Sequence, residues 1–180
     1  PPEIRYWYKP HIGTDRLRQV VRNIRRQIEA LGGEVQFCRQ VTDFRIEAGA
    51  LTGLVINESS VIPCSVALLG IGHSARDTYQ ALHRCGAGME AKPFSIGVRI
   101  EHPQELIDRS QYGKAAGHPK LGAADYSLVY HDKAAGRTAY SFCMCPGGVV
   151  IGAASEPGGV VVNGMSHYNR ASGLANSALA

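Results

Sequence analysis

Two closely spaced glycines directly follow a short apolar run. Residues 66–69 are Val, Ala, Leu and Leu, and Gly70 and Gly72 come next. A buried parallel strand that ends in glycines lets the backbone approach a ligand at the carboxyl edge of a sheet, where nucleotide cofactors bind. A helix predicted over residues 75–83 would turn its free N–H groups toward an anion there. The alternative is that the glycines serve only a turn. The predicted cofactor-binding residues are Gly70, Ile71, Gly72, His73 and Ser74.

A second candidate is the pair Cys143 and Cys145, which precedes a Pro-Gly-Gly turn at residues 146–148. Such a turn would let the backbone approach a planar ring, so the pair is a candidate redox-active thiol site. A structural zinc site needs four ligands, and no second cysteine pair is suitably spaced. His118 or His131 would have to be brought in by folding, and we therefore predict no metal. The alternative is two small buried hydrophobic side chains at a strand end.

Three histidines lie in or beside these motifs, namely His11, His73 and His102. A histidine near a bound cofactor can relay protons or form a hydrogen bond to a polar edge of the cofactor, whereas a structural histidine only forms hydrogen bonds to its neighbours in the fold. Lys9 and Arg76 are candidates for contacts with anionic groups of a cofactor or substrate. The candidate catalytic residues are His11, Cys143 and Cys145.

Composition narrows the class of protein. The chain has 180 residues, of which 44% are hydrophobic and 19% charged, as expected for a globular protein. No apolar run is long enough to span a bilayer, and no signal peptide is visible, so we expect no membrane association. The five cysteines are odd in number and scattered, which indicates a reducing compartment and a cytoplasmic location. The net charge of +4 comes largely from one helix and predicts no nucleic-acid partner.

The elements that must position these residues begin with an amphipathic helix over residues 14–31. Its apolar face is predicted to pack on a sheet while its arginines face water. A strand over residues 34–37, a hairpin of strands 41–46 and 51–56, and a third strand over 59–65 are predicted to follow. The apolar face of the helix comprises Leu17, Val20, Val21, Ile24, Ile28 and Leu31.

The pattern changes near residues 91–93, where we place a domain boundary. A strand over residues 94–100 and a helix over 103–110 are predicted next. Strands over 126–130 and 138–142 are joined by a glycine-containing turn. The expected fold class is α/β in the first half, with parallel strands and a three-stranded β-meander, and α+β in the second half, with a mixed or antiparallel sheet.

Several motifs together resemble a bacterial, largely uncharacterised family of FAD-dependent dehydrogenases, which is similar to the glutathione-reductase-like flavoproteins. The resemblance covers nearly the whole chain. The motifs that carry it lie at residues 9–15, 70–77, 92–103, 140–148, 163–166 and 175–178.

The resemblance implies a partial FAD-binding domain over residues 1–92 and a partial inserted substrate domain over 93–180. It implies FAD as cofactor, with hydride equivalents supplied by a reduced nicotinamide or a small-molecule substrate. The family carries an N-terminal Gly-x-Gly-x-x-Gly turn that this chain lacks, and position 1 is Pro rather than Met. We therefore expect an internal fragment that is inactive alone and holds no FAD with useful affinity.

Two functions other than flavin-dependent oxidoreduction stay open at this point. One is a non-catalytic binding or partner domain that retains the flavoprotein fold. The other is an RNA-modifying flavoprotein, for which the basic helix is the only indication.

Overall fold

A computed structural model describes residues 5–6 and 10–180; Lys9 therefore lies outside the described residues. Contacts divide the chain into two compact units. The meander unit comprises Ile28–Pro93, and the sheet unit comprises Phe94–Ala180 together with the residues up to Gln27. The borders of these units lie between residues 27 and 28 and between residues 93 and 94. The functional assignment of residues 1–92 and 93–180 stays a prediction.

The predicted amphipathic helix is present as α1, Thr14–Ala30, but its apolar face is bare. Leu17, Ile24 and Ile28 are 46%, 54% and 43% exposed. The prediction that this face packs on a sheet is therefore wrong for the residues that the structure describes. Helical spacing of apolar side chains determines that a face forms, and a sheet has to be present to cover it.

The meander unit contains the three-stranded antiparallel sheet that the sequence predicted. Its strands are β1 (Val41–Glu47), β2 (Ala50–Ile56) and β3 (Ser60–Pro63), in the order β1-β2-β3. The β1–β2 turn places Ala48 at φ +48° and Gly49 at φ +79°, the geometry of a tight hairpin. Helix α2, Arg76–Arg84, packs against β1 and buries Ala81.

Neither the short strand predicted over residues 34–37 nor the parallel strand predicted over residues 66–69 forms. Every strand pairing between described residues is antiparallel, and Leu68 is 99% exposed. A strand needs a neighbour to accept and donate its backbone hydrogen bonds, and no described strand lies beside either run. The observed architecture is mixed α and β with antiparallel sheets, so the α/β part of the predicted fold class is corrected to α+β.

The sheet unit is built on four antiparallel strands in the order β4-β9-β6-β5. Their bounds are β4 Val98–Pro103, β5 Val129–Asp132, β6 Arg137–Cys145 and β9 Leu174–Leu179. A ribbon of β7 (Gly148–Gly152) and β8 (Val162–Ser166) packs on this sheet. Helix α3, Gln104–Tyr112, follows β4 directly and continues into a short 3-10 turn, Gly113–Ala115.

The core of the sheet unit is unusually polar. Ala175, Asn176 and Ser177 of β9 are fully buried, and Gln104 of α3 is 6% exposed. The register Val98↔Leu179 to Pro103↔Leu174 explains why β4 lies a few residues beyond the predicted strand over 94–100. β9, which was not predicted, sits centrally and sets that register.

Candidate functional site

The predicted cofactor segment, residues 70–74, is irregular and lies between β3 and α2. Gly72 has φ +69°, and no nonadjacent heavy atom lies within 4 Å of where a Cβ would stand on Gly70 or Gly72. The Tyr79 hydroxyl donates a hydrogen bond to the Gly72 carbonyl oxygen at 2.7 Å. His73 and Ser74 are exposed, with Nε2 and Oγ 3.4 Å apart. The backbone here is open to the close approach of a ligand.

The helix that follows this segment is poorly suited to hold a phosphate group at its N-terminus. Helix α2 has Ala75 at its N-cap with no side-chain capping bond. Its first turn carries Asp77, whose carboxylate accepts a hydrogen bond from Gln40 Nε2 at 2.7 Å. A negative side chain in the first turn opposes a pyrophosphate at that helix end. The segment thus offers backbone approach to a flavin nucleotide, and by itself it neither encloses the ring nor cradles the phosphates.

The two candidate cysteines differ in environment. β6 and β9 lose register between Phe142 and Cys145, and this irregularity puts Cys143 in the left-handed region at φ +49°. Cys143 is exposed, whereas Cys145 is half-buried and donates through Sγ to the Cys143 carbonyl at 3.4 Å. The alternative of two buried hydrophobic side chains is therefore wrong for Cys143. All five cysteines are free thiols.

Burial raises the pKa of the Cys145 thiol, and Cys143 adds to the rise while Arg99 offsets part of it. Arg99 Nη1 donates to Asn176 Oδ1 at 2.5 Å and to the Cys143 carbonyl at 3.2 Å. A Cβ on Gly164 would overlap the side chains of this cluster, so any larger residue in β8 would have to displace them. Cys145 is accordingly a protonated, packed thiol at neutral pH, which disfavours it as the nucleophile.

The histidines occupy separate places. His11 Nε2 donates to the His167 carbonyl at 2.9 Å, and this contact ties the chain before α1 to the loop after β8. His102 Nε2 lies 3.0 Å from the Tyr126 hydroxyl, and its Nδ1 is buried without a hydrogen-bond partner. The hydrogen bond of His11 thus has a structural role, since it joins two segments of the backbone.

No three metal-ligating side chains converge anywhere in residues 5–6 and 10–180. His118 Nδ1 accepts from the Lys120 backbone N–H at 3.2 Å, and His131 Nδ1 lies 3.0 Å from Thr138 Oγ1. The structure does not bring either histidine together with the cysteine pair into such a cluster. No helix of the described residues is long and apolar enough to cross a membrane.

Sequence reasoning missed a cavity of about 540 Å³ in the sheet unit. Cys143 lines it together with Arg170, Tyr112, Tyr126 and Ser141. Arg170, like Cys143, is a non-glycine residue in the left-handed region, at φ +50°. Such a conformation costs about 1–2 kcal/mol, and its sequence signal is weak because neither residue is Gly, Asn or Asp.

A neighbouring cavity of about 560 Å³ is lined by Gly147 and Gly148 of the Pro-Gly-Gly turn. A Cβ on Gly147 would overlap the Arg170 carbonyl, and one on Gly148 would press on the Met165 carbonyl. These glycines therefore permit close packing of the chain on itself, which accounts for the turn without a flavin ring.

Comparison with known proteins finds two similarities. Residues 93–180 match the family described as FAD-dependent protein, C-terminal domain-like. An uncharacterized protein of Clostridium beijerinckii is 54% identical over 179 residues, which is 99% of this chain and 33% of the relative. The chain thus spans about a third of the length of the relative that it matches. The second half of the chain is similar to the C-terminal region of FAD-dependent proteins, which agrees with the flavoprotein resemblance of its motifs.

Proposed function

We propose that this chain is part of an FAD-dependent oxidoreductase that transfers hydride equivalents through a bound flavin. The observation that carries the proposal is the match of residues 93–180 to the C-terminal domain-like family of FAD-dependent proteins. The open backbone at Gly70 and Gly72 supports it, because close passage of a ligand requires positions without a side chain. FAD, when bound, accepts and donates the hydride equivalents.

In that enzyme, the residues of this chain would bind and orient the flavin nucleotide and the substrate. Gly70, Ile71, Gly72, His73 and Ser74 would form one wall beside the flavin nucleotide. The sheet unit would present its cavities to the organic substrate or the reduced nicotinamide. Cys145 would remain protonated and hold the end of β6, because burial raises its pKa. Cys143, which is exposed, is the better-placed thiol for redox chemistry.

The 180 residues alone should bind FAD poorly. The pyrophosphate of FAD is normally held by several N–H groups at a helix end behind a glycine turn, and Asp77 disfavours that role for α2. Each missing charge-assisted hydrogen bond weakens binding by about 1.5–3 kcal/mol, or roughly tenfold or more.

The competing function is a binding or partner domain that keeps the fold without a flavin. Purification of the full-length Clostridium relative under mild conditions separates the two. An oxidoreductase should show visible flavin absorbance, and anaerobic addition of NADH, NADPH or the organic substrate should bleach it. A colourless protein that takes up no added FAD would support the binding domain.

A further inference from the structure

The cavity of about 540 Å³ in the sheet unit is lined by two residues in the left-handed backbone region, one of which, Arg170, is cationic. Cys143 and Arg170 both line it, and both hold φ near +50°, at 49° and 50°. Residues other than glycine adopt this region at a cost, and such residues cluster at ligand sites because the surrounding structure has to impose them. The other described non-glycine residues with positive φ lie in the meander unit. Within the sheet unit, Cys143 and Arg170 are the two described residues of this kind, and both line this cavity rather than the glycine-lined one beside it.

Arg170 is a cationic residue for which the described residues supply no ion-pair partner. It is half-buried, and its Nε is buried without a hydrogen-bond partner. The structure gives its guanidinium no ion pair with a carboxylate of residues 10–180. Asp125 also lines the cavity, but it already has an interaction of its own. Because a partly desolvated cation without a partner is costly, this arrangement favours an anionic ligand.

The remaining wall indicates which anion fits. Arg170 is the only cation among the described residues that line the cavity, and phosphate sites usually converge several donors. One planar guanidinium matches one planar carboxylate in a bidentate pair. Tyr126 offers a ring whose hydroxyl is held by His102 Nε2 at 3.0 Å, and Met144 and Pro146 add apolar surface. The volume lies within the range of small-molecule sites, which is about 300–1,000 Å³.

We propose that this cavity is a binding site for a small organic carboxylate, with Arg170 pairing the carboxylate and the Cys143 thiol at the wall of the site. The proposal does not depend on flavin binding, because every residue that carries it lies in the sheet unit. It also gives the left-handed backbone at Arg170 and Cys143 a function.

Calorimetric titration of the purified protein with sodium benzoate, and with uncharged benzamide of the same shape, tests the charge requirement. Benzoate should bind at least about tenfold more tightly than benzamide. Arg170→Gln should abolish that preference, and Arg170→Lys should restore part of it. Arg137→Gln is the matched control, because Arg137 is exposed at the far end of β6 and should leave binding unchanged.

Peptide-resolved alkylation with iodoacetamide locates the site without any variant. Saturating benzoate should slow modification of Cys143 several-fold and leave Cys38 of the meander unit, which is also exposed, unaffected. This measurement decides the matter even when Arg170→Gln fails to fold.

Inorganic phosphate is titrated in the same way for comparison. Four outcomes would overturn the proposal: no measurable binding of benzoate, equal binding of benzoate and benzamide, tighter binding of inorganic phosphate than of benzoate, and benzoate binding without protection of Cys143.

Discussion

Gln104 holds together three segments of the sheet unit through one buried side chain. Its Nε2 donates to the Ala124 carbonyl at 2.9 Å and to Asp108 Oδ1 at 2.8 Å. Its Oε1 accepts from the Gly147 backbone N–H at 2.8 Å. The side chain therefore links α3, the loop before β5 and the Pro-Gly-Gly turn, all of which border the cavity of Cys143 and Arg170.

Replacing Gln104 with Ala should destabilise the protein by about 3 kcal/mol. The change leaves the Gly147 N–H and the Ala124 carbonyl without this partner in buried surroundings, and each orphaned group costs about 1–3 kcal/mol. Asp108 Oδ1 keeps its hydrogen bond from the Ala124 N–H at 2.8 Å, so it adds little to the loss. Gln104 is only 6% exposed, so little water can reach the orphaned backbone groups to replace the lost hydrogen bonds.

Urea unfolding followed by circular dichroism measures this free energy from the shift of the midpoint at constant slope. Gln111→Ala is the matched control, since Gln111 is an exposed glutamine of the same helix and should change stability by less than about 0.5 kcal/mol. A Gln104→Ala protein as stable as the control would refute the view that this network organises the sheet unit.

Three further results are expected. At mildly alkaline pH, iodoacetamide should modify Cys143 well before Cys145, because burial raises the pKa of the Cys145 thiol. Peptide mass spectrometry that found the reverse order would contradict the buried environment of Cys145. Asp15→Asn should lower the melting temperature at neutral pH, because the hydrogen bond from a backbone N–H holds the pKa of this carboxyl below its usual value. The stabilisation by the ionised Asp15 carboxylate is present above about pH 4 and is lost as pH falls through the lowered pKa. The melting temperatures of the two proteins should therefore converge in acid. A difference that stayed constant with pH would contradict this role of Asp15. Gly164→Ala should lower the free energy of unfolding in urea by about 1–3 kcal/mol, because its Cβ would overlap the side chains of the Arg99 cluster. Gly152→Ala in the same ribbon places its Cβ in open space and should be neutral. Equal effects of the two substitutions would contradict the close packing at Gly164.

Local patterns predicted the elements whose formation depends on neighbours in sequence. The hairpin of β1 and β2 was confirmed, because its turn residues and alternating strands act over a few positions. Helices α1 and α2 were confirmed for the same reason. The prediction of a buried parallel strand over residues 66–69 was wrong, because an apolar run indicates burial but does not show whether a neighbouring strand is present to pair with it.

The candidate site was less accessible from sequence. Cys143 was identified from its type and spacing, but its exposure follows from the register shift between β6 and β9, which is a tertiary property. Arg170 was missed because a lone arginine in a loop has no motif. Its significance arises from a left-handed backbone, a cavity and an unpaired Nε, all of which appear only after folding. The Pro-Gly-Gly turn was over-interpreted, since its glycines accommodate main-chain packing.

Equilibrium titration of FAD against the full-length Clostridium relative, freed of any bound flavin, tests the proposed function most directly. The relative is 54% identical to this chain over 179 residues, so it carries the same candidate elements within a chain three times longer. Flavin fluorescence should show tight, stoichiometric binding to the relative and no saturable binding to the 180 residues alone. Failure of the full-length relative to bind FAD would contradict the assignment to an FAD-dependent oxidoreductase.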